Sequence, residues 1–367
     1  MQITATITGI SYNAMLPEEL HKITFSDFNI NSCAPSCAVS FEADSIFALS
    51  KWVSPKRTRS YPYERVYNTL SGTKKITIIP IIKDEGADGD RDFIQWDTIS
   101  LMSLFDVYII FAYYSNADKN KAYANKITNQ IFDNEYIKTK IIEISKYHSS
   151  ALHWNIQELN FLGNLTNIIK NAYEKISQNT GVKMHKESGI NAFGKKLSKG
   201  LGEFKKFSRE KAQNAQEREY KTIQPKEILA TLTKSKITIT NYLGGKYFFT
   251  VDETEINNDT IYLIESKHAK TALLPSISDI KDGLLKMVLY SNFASIQVNG
   301  AEMQSHPQLV LTSSKLKSKL IMPANNDIIQ SYFSENPSFS ENQKTLVCKL
   351  SDEAKENNFS IILKPMQ

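Results

Sequence analysis

Two apolar runs separated by a helical pattern constrain the fold of this chain more than any other feature. The segments KKITIIPII (74–82) and VYIIFAYY (107–114) are typical of buried strands. Between them, DFIQWDTISLMSLF (92–105) carries its large apolar residues at helical spacing. A strand, a helix and a second strand in this order favour parallel pairing of the two strands. The sequence therefore predicts an α/β fold class.

Length and composition are those of a cytoplasmic globular protein with more than one domain. A chain of 367 residues is long for one hydrophobic core, and its 41% hydrophobic content is ordinary. The run 107–114 is too short to cross a bilayer, and the N-terminus lacks the pattern of a signal peptide. The three cysteines, Cys33, Cys37 and Cys348, are odd in number and show no zinc-site spacing. We therefore expect a reducing cytoplasm and no association with a membrane.

A glycine-rich region indicates where the domains divide. A helical pattern over 150–178 is followed by glycines at positions 181, 189, 194, 200 and 202. We predict an N-terminal α/β domain over 1–182, a basic helical linker over 183–226 and a C-terminal domain over 227–367.

Two basic segments favour a polyanionic partner. Residues 183–226 contain twelve Lys or Arg and five Glu, while SPKRTRSYPYERVY (54–67) interleaves basic side chains with tyrosines. Either segment alone is consistent with a solvated face. Two such segments in one chain shift the balance towards binding of a polyanion.

An acidic loop between the first strand and the helix, KDEGADGDRDFIQWD (83–97), suggests a metal site. The alternating aspartates from Asp88 to Asp92 imitate the start of a calcium loop. However, Phe93 replaces the glycine expected at the sixth position, and Ile99 replaces the glutamate expected at the twelfth. We expect a solvated turn that caps the following helix, and an active site in this loop stays as an alternative.

The segment GGKYFFTVDETEINNDTIYLIESKH (244–268) predicts a β-hairpin. Asn257 and Asn258 suit a two-residue turn because asparagine tolerates positive φ. A turn centred on that pair places residues whose numbers sum to 515 opposite each other.

This register brings acidic and basic groups to one apolar face. Asp252 lies diagonally from Glu265 and shares its face with Lys267, while Glu253 points to the other face. Two carboxylates at that separation can share a hard divalent cation, and a neighbouring lysine can orient or deprotonate a water molecule. The alternative is a partly exposed hairpin with an ordinary Glu/Lys pair.

The spacing of these residues resembles a known nuclease signature. Asp252, followed after twelve residues by Glu265-Ser266-Lys267, is similar to the PD-(D/E)XK motif of restriction-endonuclease-like nucleases. Val251 stands in place of the proline of that motif. The resemblance implies that Asp252 and Glu265 bind Mg²⁺ with the backbone carbonyl of Ser266. It also implies that Lys267 positions the attacking water, leaving a 5′-phosphate and a 3′-hydroxyl.

The resemblance extends over roughly residues 195–320 to the elements that follow the motif. The segment 276–293 resembles the helix that packs behind the motif, and its Lys286 and Tyr290 occupy auxiliary positions. The segment 307–314 supplies the next core strand. The resemblance thus implies a restriction-endonuclease-like mixed sheet in the C-terminal half, preceded by an additional α/β domain. Acidic residues on the helix before the hairpin, Glu219 and Glu227, are candidates to complete the metal site.

Within this superfamily the chain looks most like a type II restriction endonuclease, which acts as a homodimer on double-stranded DNA. We expect segment 54–67 to contact base edges and segment 183–226 to follow the phosphate backbone. The candidate DNA-binding residues are Lys56, Arg57, Arg59, Arg65, Lys195, Lys196, Lys205 and Lys206. The alternatives are a defence or repair nuclease with little sequence preference, and a non-catalytic DNA-binding protein whose hairpin carboxylates are structural.

Overall fold

The computed structural model describes residues 1–41, 46–55, 62–221 and 235–366. The chain is a mixed α/β protein that divides into two compact units. The N-terminal unit comprises Glu19–Lys211, and the C-terminal unit comprises Met1–Glu18 together with Ala212–Gln367. Within the described ranges, no helix has the length and apolar composition needed to cross a membrane.

The described residues form runs of consecutive strands separated by single helices or by runs of helices. The strands are β1 Gln2–Ile7, β2 Lys22–Thr24, β3 Ser36–Ser40, β4 Ile46–Lys51, β5 Lys74–Pro80, β6 Ile82–Asp84, β7 Arg91–Phe93, β8 Val107–Ala112, β9 Tyr114–Lys119, β10 Ile127–Phe132, β11 Ser235–Asn241, β12 Lys246–Val251, β13 Glu253–Asn257, β14 Thr260–Ala269, β15 Phe293–Val298, β16 Ala301–Ser313, β17 Leu320–Met322 and β18 Ser360–Pro365. The helices are α1 Pro62–Tyr67, α2 Trp96–Leu104, α3 Asn134–Ser145, α4 Ala151–Thr180, α5 Ser188–Ser198, α6 Leu201–Lys221, α7 Ile277–Tyr290, α8 Asn326–Glu335 and α9 Glu341–Glu356.

The N-terminal unit is built on a five-stranded sheet in the order β2-β3-β4-β5-β8. Strands β4, β5 and β8 are parallel, which confirms the pairing predicted from the strand, helix and strand pattern. Every residue of β8 is buried, because elements cover both faces of a parallel strand. The predicted long helical segment is one helix, α4, which ends at Gly181 in the left-handed conformation with φ 66°.

The C-terminal unit contains a mixed sheet with the path β12-β11-β1-β15-β16-β14-β13. Strand β18 pairs in parallel with β16, which itself runs parallel to β14. The strands at the two ends of the path, β12 and β13, are separated in sequence by Asp252 alone. The chain therefore leaves one part of the sheet and enters the other at this single residue.

The predicted domain boundaries differ from this division. Strand β1 was placed in the N-terminal domain, but it pairs with β11 and β15 in the C-terminal unit. Its alternate residues Ile3, Ala5 and Ile7 are buried there, so the apolar face of β1 determines which sheet it joins. The predicted linker also begins inside the N-terminal unit, where the buried Phe193 of α5 packs 4.9 Å from the ring of Phe93.

The predicted hairpin register is wrong, because the two-residue turn lies one residue later in the chain than predicted. Asn257 pairs with Thr260, so the turn is formed by Asn258 and Asp259, and opposing residue numbers sum to 517. Asn258 takes the left-handed conformation, with φ 52°, which places the turn one residue later than predicted. A change of two in the sum preserves the side-chain faces, since strand side chains alternate with a period of two.

Helix α7 is fixed against the strands by its start and by a glycine. The Ser276 side chain caps the helix by accepting a hydrogen bond from the Asp279 backbone N–H at 3.2 Å. A Cβ atom at Gly283 would lie 2.6 Å from Leu309 Cδ1 and 3.4 Å from Lys267 Cε. The missing side chain at Gly283 therefore lets α7 approach β14 and β16 closely.

Candidate active site

Asp252 lies where the chain passes from β12 to β13. Continuing the observed register places it opposite Glu265, closer than the diagonal position that the sequence predicted. The Ser266 backbone N–H donates a hydrogen bond to Asp252 Oδ2 at 3.0 Å, and Asp252 remains exposed to solvent. The bend thus holds one carboxylate at the surface and directs it towards the end of β14.

Glu265 is the buried centre of the site. It is 1% exposed, and each of its carboxylate oxygens forms an ion pair with an ammonium group. Lys267 Nζ lies 3.0 Å from Glu265 Oε1, and Lys286 Nζ lies 2.7 Å from Oε2. Because β14 places Glu265 and Lys267 two residues apart, their side chains emerge on the same face of the sheet.

One face of α7 completes the arrangement. Asp282, Lys286 and Tyr290 are spaced four residues apart, so they lie above one another on the helix. Lys267 Nζ donates to Asp282 Oδ2 at 2.8 Å. We call Asp252, Glu265, Lys267, Asp282 and Lys286 the hairpin cluster.

Sequence reasoning missed Asp282. The signal that would have found it is its position four residues before Lys286, on the helix already assigned to the site. Sequence reasoning treated Lys286 and Tyr290 only as auxiliary positions, whereas Lys286 binds Glu265 directly and Tyr290 is 1% exposed.

The two carboxyl groups have pKa values that move in opposite directions. Desolvation by the surrounding protein, and then repulsion from the Glu265 carboxylate, raise the pKa of Asp252 to about 6. Because Asp252 is exposed, repulsion from Glu265 explains its raised pKa better than desolvation does. Burial opposes the charge of Glu265, but the ammonium groups of Lys286 and Lys267 hold its pKa below the ordinary value. Glu265 is therefore charged at neutral pH, and its negative charge disfavours ionisation of Asp252.

Both lysines of the hairpin cluster are held in the protonated state. Burial alone would lower the pKa of Lys267, but Glu265 and Asp282 raise it above the ordinary value. Burial is likewise outweighed at Lys286, where Glu265 and then Asp252 hold the pKa well above its usual range. Lys267 can therefore donate hydrogen bonds to a water molecule or a phosphate oxygen, but it is a poor general base.

The hairpin cluster offers the ligands that a hard divalent cation takes. Within the described part of the chain, no three or more His, Cys, Asp or Glu side chains are grouped so that they could hold a metal ion. The side-chain ligands at this site would therefore be the two carboxylates of Asp252 and Glu265. Two carboxylates, a backbone carbonyl and water match the way Mg²⁺ is bound in phosphate-handling sites. Each Glu265 oxygen has a second lone pair beyond the one used by a lysine. A cation beside Asp252 and Glu265 would also relieve the repulsion between them, so the residues present fit Mg²⁺.

Magnesium is expected to stabilise the C-terminal unit at pH 7.5 and to have little effect at pH 5. Because the folded-state pKa of Asp252 is raised to about 6, protonation stabilises the fold as the pH falls through 6. Above pH 6 both carboxylates are charged, and a cation removes their repulsion. Thermal melts with Mg²⁺ or EDTA at both pH values measure this, with Asp252→Asn as control. An equal Mg²⁺ effect at both pH values would contradict the assignment.

The residues predicted to read DNA bases are described only in part. Lys56, Arg57 and Arg59 lie outside the described residues. Arg65 is partly buried in α1, and its Nη1 donates a hydrogen bond to the backbone carbonyl of Lys51 at 2.5 Å. That bond directs Arg65 towards the protein backbone.

The lysines predicted to follow the phosphate backbone divide into two pairs. Lys195 and Lys206 are exposed. Lys196 Nζ lies 3.2 Å from the centre of the Phe207 ring, and Lys205 Nζ lies 4.4 Å from that of Trp96. Of these four lysines, only Lys195 and Lys206 present ammonium groups without an aromatic contact among the described residues.

The remaining acidic candidates do not add to the site. Glu227 lies outside the described residues, as does the side chain of Glu219. In the acidic loop, the expectation of a solvated turn holds for Asp88 and Asp90, which are exposed, but not for Asp84 and Asp92, which are buried in β6 and β7. His185 Nδ1 lies 2.7 Å from Asp84 Oδ1, and Asp92 Oδ2 accepts a hydrogen bond from Ser54, so partners distant in sequence bury these carboxylates.

A scan against models of protein families finds no match for this chain. Searches of curated proteins and of solved structures find no significant match either. What the chain does is therefore inferred from the geometry and charge of the hairpin cluster.

Proposed function

We propose that this chain is an Mg²⁺-dependent endonuclease that hydrolyses phosphodiester bonds of double-stranded DNA to 5′-phosphate and 3′-hydroxyl ends. The observation that carries the proposal is the meeting of Asp252, Glu265 and Lys267 beside an exposed bend of the sheet. Carboxylates for a cation and an ammonium group for a phosphate oxygen are the groups that phosphodiester hydrolysis needs.

The order of strands around the site supports a restriction-endonuclease-like core. The hairpin of β13 and β14 is followed by α7, by β15 and then by β16, which pairs in parallel with β14. Helix α7 packs on both β14 and β16. The catalytic groups of the proposal therefore come from a hairpin and from the helix behind it, as in the nucleases that the sequence resembles.

The residues have separate roles in the proposed reaction. Asp252 and Glu265 would hold Mg²⁺ with the Ser266 carbonyl, and the bound ion supplies charge stabilisation at the phosphate and a more acidic water. Lys267, kept protonated by Glu265 and Asp282, donates a hydrogen bond to the attacking water or to a phosphate oxygen. Lys286 fixes the orientation of Glu265.

The charge balance of the hairpin cluster also favours a second candidate function. Both Glu265 oxygens already form ion pairs with ammonium groups, which is the pattern of a structural ion-pair network. In that case the chain is a DNA-binding protein without catalysis. The two candidates differ in a single observable, which is the cleavage of DNA.

Incubation of supercoiled plasmid with the purified chain and Mg²⁺ tests the proposal. We expect nicked and linear products with Mg²⁺ and none with EDTA. Lys267→Ala, purified in the same way, is the control for contaminating nucleases. Binding without cleavage over a range of Mg²⁺ concentrations would favour the non-catalytic candidate.

We further propose sequence-specific cutting by a homodimer, as in type II restriction enzymes. A twofold protein matches a twofold DNA site, which is the reason such enzymes dimerise. Discrete fragments from a plasmid of known sequence are expected, and sequencing of their ends gives the site and the cut position. A smear of products would instead indicate a defence or repair nuclease with little sequence preference.

Removal of the exposed lysines is expected to weaken DNA binding on all sequences alike. Lys195→Ala with Lys206→Ala removes two phosphate contacts, so the log–log salt slope of binding should fall by about two. Titration of a cognate and a scrambled duplex in Ca²⁺ at several salt concentrations measures the slope. The matched control is the pair Lys121→Ala and Lys175→Ala, two exposed lysines outside segment 183–226. An unchanged slope in the first pair would remove this segment from the interface.

A further inference from the structure

A cavity lies in the N-terminal unit at the carboxyl edge of its parallel strands. Lys51, the last residue of β4, lines it, together with Lys83 and Tyr114 from the segments that follow β5 and β8. Asn31, which precedes the antiparallel strand β3, reaches the same edge. Ligands of open α/β sheets bind outside the carboxyl ends of the strands, because loops from several strands converge there. We call this cavity the edge pocket.

The edge pocket has an excess of positive charge. Its charged lining residues in the described part of the chain are Lys51, Lys83, Lys126 and Glu85. Lys83 Nζ and Lys126 Nζ share the single carboxylate of Glu85, at 2.9 Å and 3.3 Å. Burial opposes the charge of Glu85, but these two ammonium groups lower its pKa, so it is ionised at neutral pH. Three ammonium groups therefore face one carboxylate.

The contacts of Lys51 indicate most directly which kind of ligand the edge pocket would bind. Its Nζ donates to the backbone carbonyls of Ile30 and Cys33, at 2.8 Å and 3.0 Å. No carboxylate of the described residues pairs with this partly buried ammonium group. An ammonium group has three donors, and the two carbonyls use two of them. The third donor, on an ammonium group that no carboxylate of the described residues neutralises, suits an anionic ligand.

The size of the edge pocket sets the class of ligand. Its volume is about 500 Å³, within the range of small-molecule sites and sufficient for a nucleotide. One wall is the aromatic pair Tyr114 and Phe132, whose ring centres lie 4.3 Å apart. A ligand with a phosphate group would meet the lysines, and its remaining part would lie against this wall. We propose that the edge pocket binds a phosphorylated small molecule of nucleotide size.

Calorimetric titration of the full chain with AMP and with ribose 5-phosphate tests the proposal, and it requires no nuclease activity. At least one of the two is expected to bind, and adenosine, which lacks the phosphate, is expected not to bind. Lys51→Met should weaken binding at least about tenfold, because it removes the ammonium group that has no paired carboxylate among the described residues. Lys126→Met, at a side chain that is 30% exposed, should weaken it as well and serves if Lys51→Met fails to fold.

Lys175→Met is the matched control, since Lys175 is an exposed lysine of α4 outside the edge pocket. Its affinity should equal that of the wild type. Absence of binding by both phosphorylated probes at about 1 mM, a weak affinity of about −4 kcal/mol, would overturn the proposal. Equal affinities in the wild type and in Lys126→Met would overturn it too. So would binding of a DNA duplex that depends on Lys126 when neither small probe binds.

Discussion

Replacing Asp252 by asparagine is expected to reduce the proposed Mg²⁺-dependent DNA cleavage by about 10³-fold, equivalent to about 4 kcal/mol of transition-state stabilisation. The substitution keeps the shape of the side chain and removes the charge that would bind the cation. Asp252 is exposed at the bend after β12, so the C-terminal unit should stay folded. Loss of repulsion with Glu265 should even stabilise it at neutral pH. Single-turnover cleavage of plasmid measures the rate, and thermal unfolding measures the stability.

The adjacent residue provides the matched control for this prediction. Glu253→Gln changes a carboxylate one position along the chain, where strand alternation directs the side chain to the other face. Its cleavage rate should stay within a factor of two or three of the wild type, about 0.5 kcal/mol. The proposed DNA binding in Ca²⁺ should be retained by both variants, because phosphate contacts elsewhere would supply most of the affinity. Loss of activity in Glu253→Gln alone would mean that the assignment of the two carboxylates is reversed.

Replacing Glu265 by glutamine is expected to have the largest effect on stability, a loss of about 3 kcal/mol. The charge of this buried side chain neutralises Lys267 and Lys286, and its removal leaves Lys286 without its closest partner. For a unit of this size, that loss corresponds to a decrease in melting temperature of about 6–12 °C. The wild-type contribution should itself fade in acid, since the pKa of Glu265 is lowered and protonation removes the ion pairs.

A double variant separates charge imbalance from a general loss of packing. Lys286→Met in the Glu265→Gln background removes one uncompensated charge, so part of the lost stability should return. Lys267 keeps Asp282 as a partner in both variants. Full-chain melts followed by circular dichroism give the comparison. A melting temperature of Glu265→Gln within about 2 °C of the wild type, less than about 1 kcal/mol, would show that the ion pairs contribute little to stability.

Local patterns were sufficient for the central elements β5, α2 and β8 of the N-terminal unit and for the face of β14 that carries the site. The apolar run at 107–114 and the pattern before it predicted the parallel pair of β5 and β8, because burial on both faces leaves a continuous apolar stretch. The alternation of residues along β14 was enough to place Glu265 and Lys267 together. These inferences depend on periodicities of a few residues, which the sequence displays directly.

The hairpin register depended on a backbone conformation that the sequence leaves open. Asn257 and Asn258 both tolerate positive φ, and the left-handed conformation falls on Asn258. The turn therefore shifts by one residue, and extending the observed pairing one step beyond Glu253 and Ile264 places Asp252 opposite Glu265 instead of diagonal to it. Since the shift changes the pairing by two, the face assignment remained correct although the register was wrong.

By itself the sequence determined the α/β class, the strand that carries the carboxylate and lysine, and the helix behind it. The tertiary structure decided which groups those residues meet. It brought Asp282 to Lys267 and Lys286 to Glu265, and it placed β1 beside β11, more than two hundred residues further along the chain. Such pairings are set by burial of apolar faces and by compensation of buried charge, and both depend on the whole fold. Periodicity fixes which way a side chain points, but only packing fixes what lies opposite it.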